Sequence, residues 1–260
     1  MTINTKNTVR ELALSVPGAT LIFEKMGIDY CCGGNQSLAT ACHKAQVPVE
    51  KAVEALEHSE QSATPNGNAR DWQTETLSAL IEHIVNTHHA FTRNELARIE
   101  VLIEKVCSAH GANHPELSEL RNLTKALTQD LIPHMLKEEQ VLFPYIDSME
   151  VAAFYQQPAP QPFFMTVKNP VRMMMTEHDN AGDVLRAIRT VTREFTLPDD
   201  ACATFQALYE SLQKLEADLH QHIHLENNVM FPRAIQMEQI PGSKSTNLVE
   251  TGCGSKCFGH

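Results

Sequence analysis

Two stretches of this chain, HMLKEEQVLFP at 134–144 and HIHLENNVMFP at 222–232, share the frame H-x-x-x-E-x-x-x-x-F-P with an offset of 88 residues at every matching position. Ahead of the second runs an apolar stripe, Phe205, Leu208, Leu212, Leu215 and Leu219, in the alternating steps of three and four that mark a buried helical face. Its next two positions are His222 and Glu226. An imidazole and a carboxylate placed in such a seam cost about 2–7 kcal/mol each unless something pairs with them. Positions i and i+4 lie about 40° apart on one helix face. His134 with Glu138, and His222 with Glu226, therefore aim four ligand atoms at one place. An internal duplication of a helix pair explains the repeat and predicts a bundle with a pseudo-twofold axis.

Helical periodicity dominates from about residue 72 to 236 and divides into four long helices, near 74–107, 115–149, 170–195 and 199–236, with the Pro-rich QQPAPQPFF as the crossing between the second and third. On the second, Leu120, Leu127, His134 and Val141 fall at heptad steps. The Phe-Pro pairs read as packing and helix termination. Residues 1–58 form a separate small helical module: TVREL opens with a capping box, Pro17 and Pro48 suit first turns, and Gly27 suits a helix end. Residues 59–71 read as a polar linker, 72–238 as the bundle and 239–260 as a flexible Cys-containing tail. The expected class is all-α, a four-helix bundle preceded by a small helical domain.

Each half should supply one more ligand from its other helix. In MMMTEHDNAGDVL, His178 shares a stripe with Val171, Met174, Leu185 and Ile188 and lies 44 residues before His222. In IEHIVNTHHAF a 45-residue spacing to His134 selects His89, whereas plain periodicity centred on Ile81, Val85 and Thr92 prefers His88, and both stay open. Four imidazoles and two carboxylates without a thiolate suit a pair of first-row metals, iron first and manganese next, better than closed tetrahedral zinc. His220 and His224 lie off the stripe and read as solvated or supporting residues. Met173, Met174 and Met175 read as core filler.

Charge and cysteine usage narrow the function classes. A net charge of −11 without clustered Lys or Arg argues against nucleic acid as a general partner. No run reaches the ~18 apolar residues of a membrane helix, and the N-terminal stretch has no apolar core before a cleavage site. Seven cysteines at scattered spacings fit reduced thiols, so the expected address is cytoplasmic. Cys31 and Cys32 precede Gly33 and Gly34, which suggests a turn exposing them ahead of a helix capped near Ser37, whose N-terminus lowers a thiol pKa. They read either as a redox or metal-transfer pair or as a structural turn. Cys42, Cys107 and Cys202 read as small buried residues. Cys253, Cys257 and His260 offer half of a metal site or belong to a disordered tail.

The paired H-x-x-x-E helices, TEHDNAG and the N-terminal IDYCCGGNQSL together resemble the di-iron proteins that repair iron-sulfur centres, the repair-of-iron-centres (RIC) family, over about residues 8–236. That resemblance implies an ScdA-type N-terminal domain and a hemerythrin-like bundle. In it His89, His134, His178 and His222 would be terminal ligands, and Glu138 and Glu226 would bridge two iron ions further joined by an oxo or hydroxo group. It also implies iron donation to damaged or apo iron-sulfur proteins under oxidative or nitrosative stress, with Cys31 and Cys32 as a thiol relay. The competing expectations are an oxidoreductase that reduces nitric oxide or peroxide at the di-iron centre and an oxygen-binding or sensing protein. A homodimer is allowed.

Overall fold

The structure, a computed structural model, describes residues 3–62 and 70–239. Among these the chain is all-α, with one isolated bridge, Thr8 to Ser37, and no named strand. The N-terminal module comprises α1 (Val9–Ser15), α2 (Ala19–Met26), α3 (Leu38–Lys44) and α4 (Val49–Ser62). Thr8 and Glu11 form the expected capping box, Gly27 ends α2 at φ +64°, and Ser37 caps α3 by accepting from the Thr40 amide. Val9, Phe23, Tyr30, Leu38 and Leu56 are its centre. α4 runs to Ser62, so the first residues of the anticipated linker are helical. The anticipated tail, with Cys253, Cys257 and His260, lies outside the described residues.

Four long helical runs follow, and three are interrupted by a π-helical turn. The first is α5 (Leu77–His83), a π segment (Ile84–His89) and α6 (Ala90–His110). The second is α7 (Glu116–Lys137), a π segment (Glu138–Leu142) and α8 (Phe143–Phe154). The third is α9 (Lys168–Val191), and the fourth is α10 (Ala203–His224), a π segment (Leu225–Met230) and α11 (Phe231–Glu238). α6 packs on α7 and α10, and α7 packs on α9. No described helix is long and apolar enough to cross a membrane.

The π turns correct three expectations. Phe143-Pro144 and Phe231-Pro232 do not end their helices, which continue to Phe154 and Glu238. A proline lacks the amide and crowds the carbonyl one turn back, and the wider turn before each pair accommodates both effects. A π turn also carries an extra residue, which advances the helical phase. The buried face of the first run is Leu77, Leu80 and Ile84, not Ile81 and Val85, and it resumes after the π turn at Thr92 and Leu96. On the second run Leu142 is buried in place of Val141. α9 has no π turn, and its stripe of Val171, Met174, His178, Ala181, Leu185 and Ile188 keeps ordinary steps of three and four.

The duplication reaches further than the repeated frame. Glu150 accepts the Leu77 and Ser78 amides at 2.7 and 2.9 Å, capping the N-terminus of α5. Glu238, 88 residues on, accepts the Val167 amide at 2.8 Å at the start of α9. The apolar interior divides into two clusters, one around Leu96, Leu127, Leu185 and Leu212, the other around Ile84, Phe143, Met174 and Phe231. Along every run the histidines and glutamates lie between them, forming a polar layer across an apolar bundle.

Candidate metal centre

The structure brings six of the sequence-selected residues into that layer. His89, Glu138, His222 and Glu226 form one set of converging ligand atoms; His134, Glu138, His178 and Glu226 form the other. All six side chains are at most 2% exposed. The Nε2 atoms of His89 and His222 are 3.2 Å apart, and those of His134 and His178 are 3.1 Å apart. Each carboxylate presents one oxygen to each set. Glu138 places Oε2 3.4 Å from His89 and Oε1 3.4 Å from His134. Glu226 places Oε1 3.0 Å from His222 and Oε2 3.1 Å from His178.

The donor set fits a pair of cations. Metal–nitrogen bonds of ~2.1 Å put two imidazole nitrogens ~3.0 Å apart at right angles and ~3.4 Å apart at the tetrahedral angle. The observed 3.1 and 3.2 Å are nearer the right angle, as octahedral coordination requires. Both oxygens of Glu138 and Oε2 of Glu226 are buried with no hydrogen-bond partner. Without a cation, protons substitute. Burial opposes a charge on His134, yet Glu138, Glu226 and Glu177 outweigh it and push its pKa up to about 9. Burial likewise works against ionised Glu226, but His222 and His178 hold it well below the carboxylate range. Metal binding would displace those protons.

The outward nitrogens of the ligands separate the positions further. His89 Nδ1 donates to Glu139 at 2.6 Å, which Arg93 also reaches, and His134 Nδ1 donates to Glu177 at 2.7 Å, which pairs with Lys137. His178 Nδ1 donates to Asn227 Oδ1 at 2.9 Å. Such partners fix a ligand's tautomer and raise its basicity. His222 Nδ1 has none. Sequence reasoning missed Glu139, Glu177 and Asn227, although their positions carry a signal: Glu139 and Asn227 each directly follow a repeated glutamate, and Glu177 directly precedes His178. The π turn brings His89 rather than His88 to the layer. His88 lies behind His222 with Nδ1 3.0 Å from Asp218.

Cys31 and Cys32 are placed differently from the expected exposed turn. Cys31 is buried because its segment docks on the end of α10 and the π turn that follows. Asn228 Nδ2 donates to the Tyr30 carbonyl at 2.9 Å and Asn227 Nδ2 to the Cys31 carbonyl at 3.2 Å. One asparagine thus joins His178 to the cysteine segment. Gly34 permits the approach: a Cβ there would stand 2.8 Å from Asn228 Oδ1. Half-buried His220 pairs with Glu24 at 2.9 Å, and His224 is buried and accepts from Asn228 at 3.0 Å. The neighbouring Cys32 thiol, burial and Asp29 push the Cys31 thiol up, opposite to the lowering expected from a helix N-terminus.

Two smaller expectations also change. Met173 is exposed, although Met174 is core. Cys202 is exposed at the N-cap of α10, where His110 and the Phe205 and Thr204 amides lower its pKa to about 7. Its thiolate fraction therefore rises with pH through about 7, while burial raises the Cys42 thiol. At pH 7 Cys202 is expected to react with iodoacetamide about tenfold faster than Cys42. Peptide mapping of the labelled protein checks this, and equal rates would contradict it.

Comparison with known proteins bears on the whole arrangement. Residues 79–234 match the hemerythrin HHE cation binding domain, and residues 5–60 match ScdA_N, a domain of unknown function. The chain is 38% identical over 231 residues to the iron-sulfur cluster repair protein YtfE of Citrobacter koseri, covering 88% of this chain and 96% of that one. It is equally similar, 38% over 232 residues, to the proteins of the same name from Escherichia coli O157:H7 and Shigella boydii, with the same coverage.

Proposed function

The chain belongs to the hemerythrin-type iron-sulfur cluster repair family, and from that premise we propose that it repairs iron-sulfur clusters damaged by oxidative or nitrosative stress by giving up iron from its di-iron centre. The proposed ligands are His89, His134, His178 and His222, with Glu138 and Glu226 bridging. The observation that carries this reading is the pair of buried carboxylates, each offering one oxygen to each histidine pair. When bound there, iron supplies two adjacent Lewis-acidic positions and is also the cargo.

The surrounding residues favour a donor over a permanent store. Glu139, Glu177 and Asn227 orient three of the imidazoles, and His222 lacks such a partner. Losing that kind of support costs about 10–100-fold in metal affinity. The His89–His222 position is accordingly the weaker of the two and empties first. Damaged iron-sulfur proteins are the recipients, nitric oxide is one source of the damage, and the cytoplasm is the setting.

Mixing the iron-loaded protein with an apo iron-sulfur enzyme tests this reading. Recovery of enzyme activity in proportion to iron supplied, ending at two irons per chain, is the expected result. Many turnovers of nitric oxide without iron loss would replace donation by a reductase. Replacing both Cys31 and Cys32 by serine is expected to leave the two irons and the optical spectrum intact while slowing transfer. The Cys31 carbonyl that meets Asn227 survives that substitution, so the module stays docked. Transfer at the parent rate would reduce the cysteines to a structural turn.

A further inference from the structure

Outside the bundle layer, Asp29, Cys31 and Cys32 are a further group whose ligand atoms converge among the described residues. Cys31 Sγ lies 3.8 Å from Cys32 Sγ and 3.5 Å from Asp29 Oδ1. Two thiolates ~2.3 Å from one tetrahedral cation stand ~3.8 Å apart, and a carboxylate oxygen at ~2.1 Å stands ~3.6 Å from either sulfur. Right-angle coordination would instead bring the sulfurs to ~3.3 Å. The two distances from Cys31 Sγ are those of tetrahedral coordination, and Cys32 Sγ and the Asp29 carboxylate also lie within 4.8 Å of each other. The Asp29 side chain is held in place by accepting the Cys32 amide at 2.9 Å.

The cluster lines a cavity of about 510 Å³ between the module and the bundle, together with Glu24, Arg189, Glu216 and His220 among others. Glu216 is 3% exposed; its Oε1 accepts from Arg189 Nε at 2.7 Å, and its Oε2 has no hydrogen-bond partner. The bundle centre and this cluster are joined through Asn227, which contacts His178 and the Cys31 carbonyl.

We propose that Asp29, Cys31 and Cys32 form a third metal site, tetrahedral with one exchangeable position, at which ferrous iron waits between the bundle and a recipient. The site deepens the donor reading and rests on it for its cargo. Closed tetrahedral sites retain their metal, whereas a site with three protein ligands keeps a position for exchange. A recipient cysteine enters that position. The first recipient thiolate displaces a solvent molecule from it and gives its proton to solvent; each further recipient sulfur–iron bond replaces one bond to Asp29, Cys31 or Cys32, and the proton leaving that thiol passes to the group released. Iron stays ferrous throughout, so no oxidant or reductant is required.

Cobalt(II), added under reducing conditions to full-length protein whose bundle already holds iron, tests the site. One further equivalent is expected to bind, with thiolate-to-cobalt charge transfer in the near ultraviolet and the intense visible bands of tetrahedral cobalt. Cys32→Ser should remove at least half of the thiolate-to-cobalt charge-transfer intensity. Asp29→Asn, at an exposed position where folding is not at risk, should weaken cobalt binding at least tenfold, since even losing a ligand's hydrogen-bond partner costs ~10–100-fold. Glu226→Leu, expected to hold no bundle iron, should still bind cobalt here with the same spectrum. Absence of the extra equivalent, or a band unchanged in both Cys32→Ser and Asp29→Asn, would overturn the proposal. If Glu226→Leu kept its iron and still gave the cobalt band, the bundle assignment would fall and the thiol site would stand.

Discussion

Glu138→Leu is expected to give a folded protein that binds almost no iron and whose metal-free form resists urea better than the parent. Both oxygens of Glu138 are buried without a hydrogen-bond partner, and the side chain is 0% exposed. In the metal-free protein its charge is offset by the His89 and His134 imidazoles at 3.4 Å, and burial opposes the charge on His134. Leucine removes the anion and with it the largest influence raising the His134 pKa, and joins the apolar clusters on either side. Replacing a whole buried ion pair by apolar groups is worth up to about 4 kcal/mol in favour of folding, and the cost of removing one partner alone is avoided where the other can lose its charge, as His134 can. The carboxylate is shared by both histidine pairs, so both metal positions suffer. Glu139→Gln, which touches only His89 among the ligands, should cost far less, about 10–100-fold in affinity at one position. Metal analysis together with urea midpoints for both variants checks the pair of expectations. Unfolding of Glu138→Leu, or full retention of iron, would show that the carboxylate serves the fold instead.

The second large effect should come from Asn227→Leu. That substitution leaves the His178 Nδ1–H and the Cys31 carbonyl without their partners, at about 1–3 kcal/mol for each buried group left unpaired. Iron affinity at the His134–His178 position should fall about 10–100-fold. Residues 28–37 should also exchange their amide hydrogens faster, because the cysteine segment loses one of its two asparagine clamps. Asn227→Asp keeps an acceptor for His178 and loses the donor to Cys31, so it should preserve iron while still loosening the segment. Identical behaviour of the two variants would mean that Asn227 does not act on both sides separately.

These two residues mark the boundary between what the sequence shows and what it hides. The repeated His-Glu frame was legible because a polar pair inside an apolar stripe is costly and the cost recurs at a fixed offset. His178 was legible for a related reason: α9 keeps ordinary helical periodicity through it. The choice of His89 over His88 was legible only from the 45-residue spacing to His134, because plain periodicity carries no extra residue and a π turn does. The same turn hid the continuation of the helices through Pro144 and Pro232 and moved the core position from Val141 to Leu142. The repeated Met-Glu at 149–150 and 237–238 was visible in the letters, but its meaning depends on which helix N-terminus each glutamate meets.

The seating of the N-terminal module was the least legible part. Tyr30, Asn227, Asn228, Glu24 and His220 are separated by some two hundred positions and follow no shared period, so only the folded chain brings them together. That seating buries Cys31, which the letters alone place on an exposed turn, and creates the cavity beside it. Local signals such as the capping box at Thr8 and the cap at Ser37 survive intact because they involve residues three apart.

Anomalous diffraction at the iron edge from crystals of the iron-loaded protein is the most direct test of the centre on which the account depends. The expected result is two peaks in the polar layer, one touching His89 and His222, the other His134 and His178, with Glu138 and Glu226 touching both. A single peak, a peak ligated by His88, or two peaks not shared by the glutamates would contradict it.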